Sequence, residues 1–315
     1  MTIYLRAPTS FLMLFSLRTW IFQSPMTTVI KLVRNASALE HGAARLYGYR
    51  ASQVSRRYQS NSSVNPTEVS HFKDLASEWW NPHGSSRLLH LMNPLRHDFI
   101  NTCLKSQPEG PPTTRIKYLD VGCGGGIFAE SAARLNKTHS VTAIDPTPEV
   151  IRIAQEHARQ DPFIYGTGRL EYLNNSIEQL AVPASPKDQY DILALWEVIE
   201  HIKYPSEFLN LCLPFVKPGG WIVLSTIART WTSWLTTKVI AEDVAGIVPR
   251  GTHTWSQYLN EDELSNYFQK QKGWASPGGL KTMGCVYMPG FGWKFVAGSE
   301  AYGNYFFGVR KDLNP

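Results

Sequence analysis

The run Asp120-Val-Gly122-Cys-Gly124-Gly-Gly126 sets a cluster of glycines behind an acid. The residues before it read as a strand and those after it as a helix. Glycine lets the chain turn sharply and lets a ligand approach the backbone. The helix that follows offers free N–H groups at its start. Asp145 closes the next apolar stretch, 23 residues after Gly122. A carboxylate there can accept both hydroxyls of a ribose. A dinucleotide fingerprint, G-x-G-x-x-G, would need glycine at position 127, and this chain has Ile127. The observed order, acid-x-G-x-G-x-G, suits a ligand with a cationic ammonium and no pyrophosphate. That chemistry points to S-adenosylmethionine. A nicotinamide or flavin dinucleotide, and a glycine turn with no ligand, are the alternatives.

A second cluster follows at Glu197, Glu200 and His201. At positions i, i+3 and i+4 these side chains share a face if the segment turns helically. Two carboxylates and an imidazole can hold a hard or borderline divalent ion. Otherwise the Glu–His pair caps the next helix or lines the cleft. His201 or His253 can also serve as general base, since an imidazole titrates near working pH.

Alternating elements must position these groups. Strands are expected at 117–121, 140–144, 170–173, 190–195 and 221–226, with helices at 127–135, 149–157 and 206–213 between them. Such alternation means a parallel sheet covered on both faces. A turn is expected at 217–220, a helix near 261–268, and strands near 284–288 and 305–310. Upstream, Thr67 caps an amphipathic helix over 68–80, and a second short helix starts near Pro94. Trp231, Trp234, Leu235, Val239, Ile240, Val244, Ile247 and Val248 recur at helical spacing. The segment 229–253 therefore reads as a membrane-facing insert or as a lid over the substrate pocket.

The composition, 43% apolar and 18% charged, excludes wholesale disorder. Cys103, Cys123, Cys212 and Cys285 are too scattered for a disulfide framework. The apolar stretch from Phe11 ends at Arg18, short of the about 20 residues that a membrane span needs. Residues 1–58 carry eight Lys/Arg and one acid, a net of +7, whereas the rest carries 23 basic and 25 acidic residues. Charge therefore gives the body no reason to bind nucleic acid. The Arg-rich, acid-poor segment 1–58 has the composition of a mitochondrial transit peptide, with Arg56-Arg57-Tyr58 resembling a cleavage site. Residues 59–66 read as a linker and 67–315 as one domain.

Residues 68–310 resemble the class I S-adenosylmethionine-dependent methyltransferases. More narrowly, they resemble the mitochondrial O-methyltransferases of ubiquinone biosynthesis. The resemblance rests on Trp79-Trp80, Asn93-Pro94-Leu95-Arg96, Asp120–Gly126 and Glu197-Val-Ile-Glu200-His201. It extends to Lys217-Pro-Gly-Gly220, Pro249-Arg-Gly-Thr-His253 and Asn304-Tyr305. It implies an α/β, Rossmann-like fold with a seven-stranded, mostly parallel sheet and helices on both faces. It also implies cofactor contacts at Arg96, Gly122, Asp145 and Trp196, which join Asp120 and Gly124 of the glycine loop. Arg96 would hold the methionine carboxylate through a bidentate pair. Trp196 departs from the family, where a smaller residue such as Met is usual. A backbone contact would survive that change, and a side-chain contact would become stacking. Magnesium is implied at Glu197, Glu200 and His201, chelating a catechol and lowering the pKa of one hydroxyl. The implied substrates are a polyprenyl dihydroxybenzoate and a demethylubiquinol. The implied setting is the matrix side of the mitochondrial inner membrane, in peripheral contact and within a multi-protein complex. Another methyltransferase acting on a soluble catechol or a lipid, and a non-catalytic cofactor-binding scaffold, are the alternatives.

Overall fold

The computed structural model describes residues 78–229 and 258–314. The segments 1–58 and 59–66, most of the expected 68–80 helix, His253 and the apolar run of 229–253 lie outside the described residues. Among the described residues eight strands are present: β1 Ile116–Val121, β2 Thr138–Asp145, β3 Leu170–Asn174, β4 Tyr190–Trp196, β5 Val216–Ile227, β6 Leu280–Met288, β7 Gly292–Phe295 and β8 Asn304–Arg310. Five α-helices accompany them: α1 Arg87–Lys105, α2 Ile127–Arg134, α3 Pro148–Ala158, α4 Pro205–Cys212 and α5 Glu261–Gln269.

The strands form one sheet in the order β3-β2-β1-β4-β5-β8-β6-β7. The first five are mutually parallel, and β8 lies antiparallel between β5 and β6. The α/β class is as expected. The eighth strand is β7, four residues behind a glycine-rich turn, too short to leave a period in the sequence.

Strand β4 shows why the central strands are apolar throughout. Ile192, Ala194 and Trp196 face a core shared with α1, α2 and α3, including Phe99, Phe128 and Ala154. Leu193 and Leu195 face the opposite core, with Phe208 of α4 and Leu264 and Phe268 of α5. Alternate residues point to opposite faces. A sheet covered on both sides therefore has no position for a polar residue in mid-strand. Leu193 and Leu195 are fully buried, and truncating either to Ala costs about 2–5 kcal/mol.

Two local expectations are corrected. The helix expected to begin near Pro94 begins at Arg87 and carries Pro94 inside it. Proline there removes one backbone hydrogen bond, but Met92, Arg96, Phe99, Ile100 and Cys103 bury one continuous face and carry the helix through. The expected turn at 217–220 is a bulge within β5. Tyr190 pairs with Val216 and Ile192 with Trp221, so four residues of β5 loop out of register.

The strand order reverses at β1, between β2 and β4. Ligands of open α/β sheets bind outside the carboxyl ends of the strands at such a point. The glycine loop leaves β1 there, and Glu197 follows β4.

Candidate active site

The glycine loop is held at its start by β2. The amides of Gly122 and Cys123 donate to the carbonyl of Ile144 at 2.8 and 3.0 Å. Gly124 and Gly126 have φ of +52° and +90°, a region that costs any residue with a Cβ. A Cβ at 124 would also overlap the indole of Trp79, and one at 126 the hydroxyl of Tyr172. The glycines are thus required by backbone conformation and by close packing together.

Asp145 ends β2 beside this loop, buried. One carboxylate oxygen accepts from the Gly124 amide at 3.0 Å and the other from the Thr147 amide at 2.9 Å. Burial pushes its pKa up and these amides pull it down. Each oxygen keeps a lone pair for a ligand hydroxyl.

Asp120 and Arg96 are the other charges of the loop region. Asp120 is 2% exposed, and its Oδ2 has no hydrogen-bond partner. Burial raises it to about 7, opposed by the nearby Arg96. Arg96 is 4% exposed, and its Nε has no partner either. Its guanidinium lies over the Trp196 ring, 5.5 Å from the centroid. Burial lowers the Arg96 pKa, while Glu197 and Asp120 raise it. The Trp196 ring packs on Phe128 and Phe306, with centroids 5.3 and 5.7 Å apart. Tryptophan at this position thus forms the floor beneath Arg96.

The acidic cluster does not have the geometry its spacing suggested. Only Ile199–His201 form a turn, and it is 3-10 rather than α. Glu197 precedes it at φ +56°. The assumption that i, i+3 and i+4 share one helical face therefore fails. Glu200 is buried and accepts from Thr226 Oγ1 at 3.0 Å. Burial, and then the Glu197 charge, raise its pKa to about 8 against the pull of His201. Glu197 is half-buried, with an unpartnered Oε1. Among the described residues, no three His, Cys, Asp or Glu side chains are grouped to hold a metal ion. This arrangement gives no support to magnesium at Glu197, Glu200 and His201.

The structure adds a support that spacing did not reveal. Trp80 lies in a turn, donates from Nε1 to the Gly125 carbonyl at 2.9 Å, and stacks on His157 with centroids 3.4 Å apart. His157 Nδ1 lies 2.8 Å from one oxygen of the buried Glu130, and Arg134 donates to the other at 2.8 Å. The only signal in the sequence was the Glu130–Arg134 spacing of four.

The comparisons agree with this geometry. A family model described as "Methyltransferase domain" matches residues 88–274. The mitochondrial ubiquinone biosynthesis O-methyltransferase of Candida albicans is 36% identical over 288 residues, 79% of this chain and 86% of that protein. Its namesake from Schizosaccharomyces pombe is 45% identical over 213 residues, 68% of this chain and 74% of that protein. Among solved structures, the plantazolicin methyltransferase BpumL in complex with SAH aligns with a TM-score of 0.52 at 15% identity. The alignment covers 78% of this chain and 97% of that one, a likeness of fold alone. With the glycine loop, its acid and the switch-point cleft in place, these relationships make the chain a member of the methyltransferase-domain family and, within it, of the ubiquinone biosynthesis O-methyltransferases.

Proposed function

We propose that the chain transfers methyl from S-adenosylmethionine to a phenolic hydroxyl of a polyprenylated dihydroxybenzoate, and later of a demethylubiquinol. One observation carries the cofactor half of this reading. Buried Arg96 and buried Asp120 each leave a polar atom unpartnered beside the glycine loop. A buried unpaired charge is costly to keep, and an amino-acid zwitterion answers both. The carboxylate goes to Arg96, the ammonium to Asp120, and the ribose hydroxyls to Asp145. The residues present fit S-adenosylmethionine in this sense, and the cofactor supplies an activated methyl group on a sulfonium.

The reaction is an in-line displacement at carbon, for which holding acceptor and methyl in line supplies most of the rate. The protein's remaining task is the phenolic proton. His201, half-buried on the turn after β4, takes it as general base. No step is derived through magnesium. The relatives named as mitochondrial, and the basic, acid-poor segment 1–58, support delivery to the matrix. Among the described residues no helix is long and apolar enough to cross a membrane, which fits peripheral attachment at the inner membrane.

Mass spectrometry of quinone precursors in cells lacking the protein tests the acceptor. Accumulation of the unmethylated polyprenyl dihydroxybenzoate is expected. Normal ubiquinone with loss of a methylated soluble catechol would select the alternative substrate.

A further inference from the structure

The β6–β7 hairpin overhangs the sheet. β6 pairs with β8 only as far as Cys285, opposite Asn304 at the start of β8. It runs on through Val286, Tyr287 and Met288, which pair with β7 alone. At about 3.3 Å per residue these three residues project about 10 Å. Strand β6 is antiparallel to β8, and β8 is antiparallel to β5. β6 therefore points the same way as β1, β4 and β5, and its overhang stands at the edge that carries the active site.

One face of the overhang is fastened down. Tyr287 and Trp293 lie 5.5 Å apart, Trp293 Nε1 donates to the Leu88 carbonyl at 3.1 Å, and Arg87 donates to the Tyr287 hydroxyl at 3.3 Å. The other face and the tip are bare. Val286 is 39% exposed, Met288 40% and Phe291 77%. Gly290 and Gly292, at φ +84° and +74°, bracket Phe291 in a turn that few other residues could adopt. Residues 286–295 contain one charge, Lys294, and no acid. The first turn of α1, to which the hairpin is fastened, adds Arg87 and no acid.

An aromatic apex with aliphatic flanks, and cations set back from it, complements an anionic bilayer surface. The apolar tip enters the acyl boundary while Lys and Arg reach the headgroups. We propose that the β6–β7 tip is a bilayer-docking element that seats the active-site edge on an anionic lipid surface. This rests on the reading above of a polyprenylated acceptor, whose tail resides in the bilayer. It assigns the docking to a different element from segment 229–253.

The test uses the full chain and vesicles of phosphatidylcholine with phosphatidylglycerol. Co-sedimentation compares wild type with the double variant Met288→Ser/Phe291→Ser. The basic segment 1–58 is common to both proteins, so the difference reports the hairpin. Partition is expected to fall about tenfold, and less for Lys294→Glu, with S-adenosylmethionine affinity unchanged as proof of folding. In a second measurement, Phe291→Cys carries an environment-sensitive fluorophore, the four native cysteines being buried. A blue shift on adding vesicles is expected. Equal partition of wild type and double variant, or no blue shift, would overturn the proposal. So would a loss of self-association in the variant without loss of vesicle binding. Vesicle binding as expected with no methylation of a prenylated acceptor would instead sink the acceptor reading.

Discussion

Glu130 and Asp120 are both buried acids, 0% and 2% exposed, four residues after and two before the same glycine loop. Glu130 is complete, with Arg134 on one oxygen and His157 on the other, each at 2.8 Å. Asp120 leaves Oδ2 without a partner, and the neighbouring Arg96 leaves Nε without one. No hydrogen bond or ion pair between described residues joins the two. Folding alone favours the first arrangement, because an unsatisfied buried charge costs free energy. On the proposed reading, the zwitterionic end of the cofactor completes the second. Satisfaction of the charge, more than its burial, separates scaffold from site.

Four expected outcomes would break or sharpen that contrast. The largest is at the completed cluster. Glu130→Ala removes the charge-assisted bonds to His157 and Arg134, Arg134 keeping Asp161 at 2.6 Å, and should lower stability by about 3 kcal/mol in denaturant unfolding. A loss of a few tenths would place Glu130 outside the scaffold. Next is Asp145→Ala, which removes the ribose acceptor and should weaken S-adenosylmethionine binding by roughly 1–3 kcal/mol. Unchanged affinity in a folded variant would dismiss the assignment of Asp145. Smaller still is the stability effect at the incomplete cluster. Asp120→Asn and Arg96→Met should leave thermal stability within about 1 kcal/mol of wild type, or raise it, because neither change breaks a hydrogen bond or ion pair between the two and each removes a buried charge.

The last outcome concerns the pH dependence of the ligand-free protein. Asp120 is raised from 3.8 to about 7 and Glu200 from 4.5 to about 8. Between those limits the folded chain keeps protons that the unfolded chain has released. Stability should therefore be full at acidic pH and decline as pH rises toward about 8. Asp120→Asn should flatten the decline, and unfolding at several pH values measures it. A rise in stability over this window would contradict the burial of these two groups.

Much of this was legible in the sequence, for physical reasons. The central parallel strands announce themselves because burial on two faces demands unbroken apolar runs, as in 192–195. Gly124 is legible because a left-handed turn demands one residue type. What escaped depends on three-dimensional neighbours. Trp80, His157 and Glu130 meet across 77 positions of chain with no shared period. Pro94 read as a helix start because local propensity favours it there, while the buried face of α1 overrode that preference. The spacing of Glu197, Glu200 and His201 misled because it presupposed an α-helical turn, and Glu197 is left-handed.

The central claim is that unpartnered Arg96 and Asp120 grip the amino-acid end of the cofactor. Calorimetric titration of wild type, Arg96→Met and Asp120→Asn with S-adenosylmethionine tests it most directly, set against 5′-methylthioadenosine, which lacks that end. The account predicts that each variant loses about 2 kcal/mol or more toward S-adenosylmethionine and binds 5′-methylthioadenosine as wild type does. Equal losses toward both ligands, or none toward either, would contradict it.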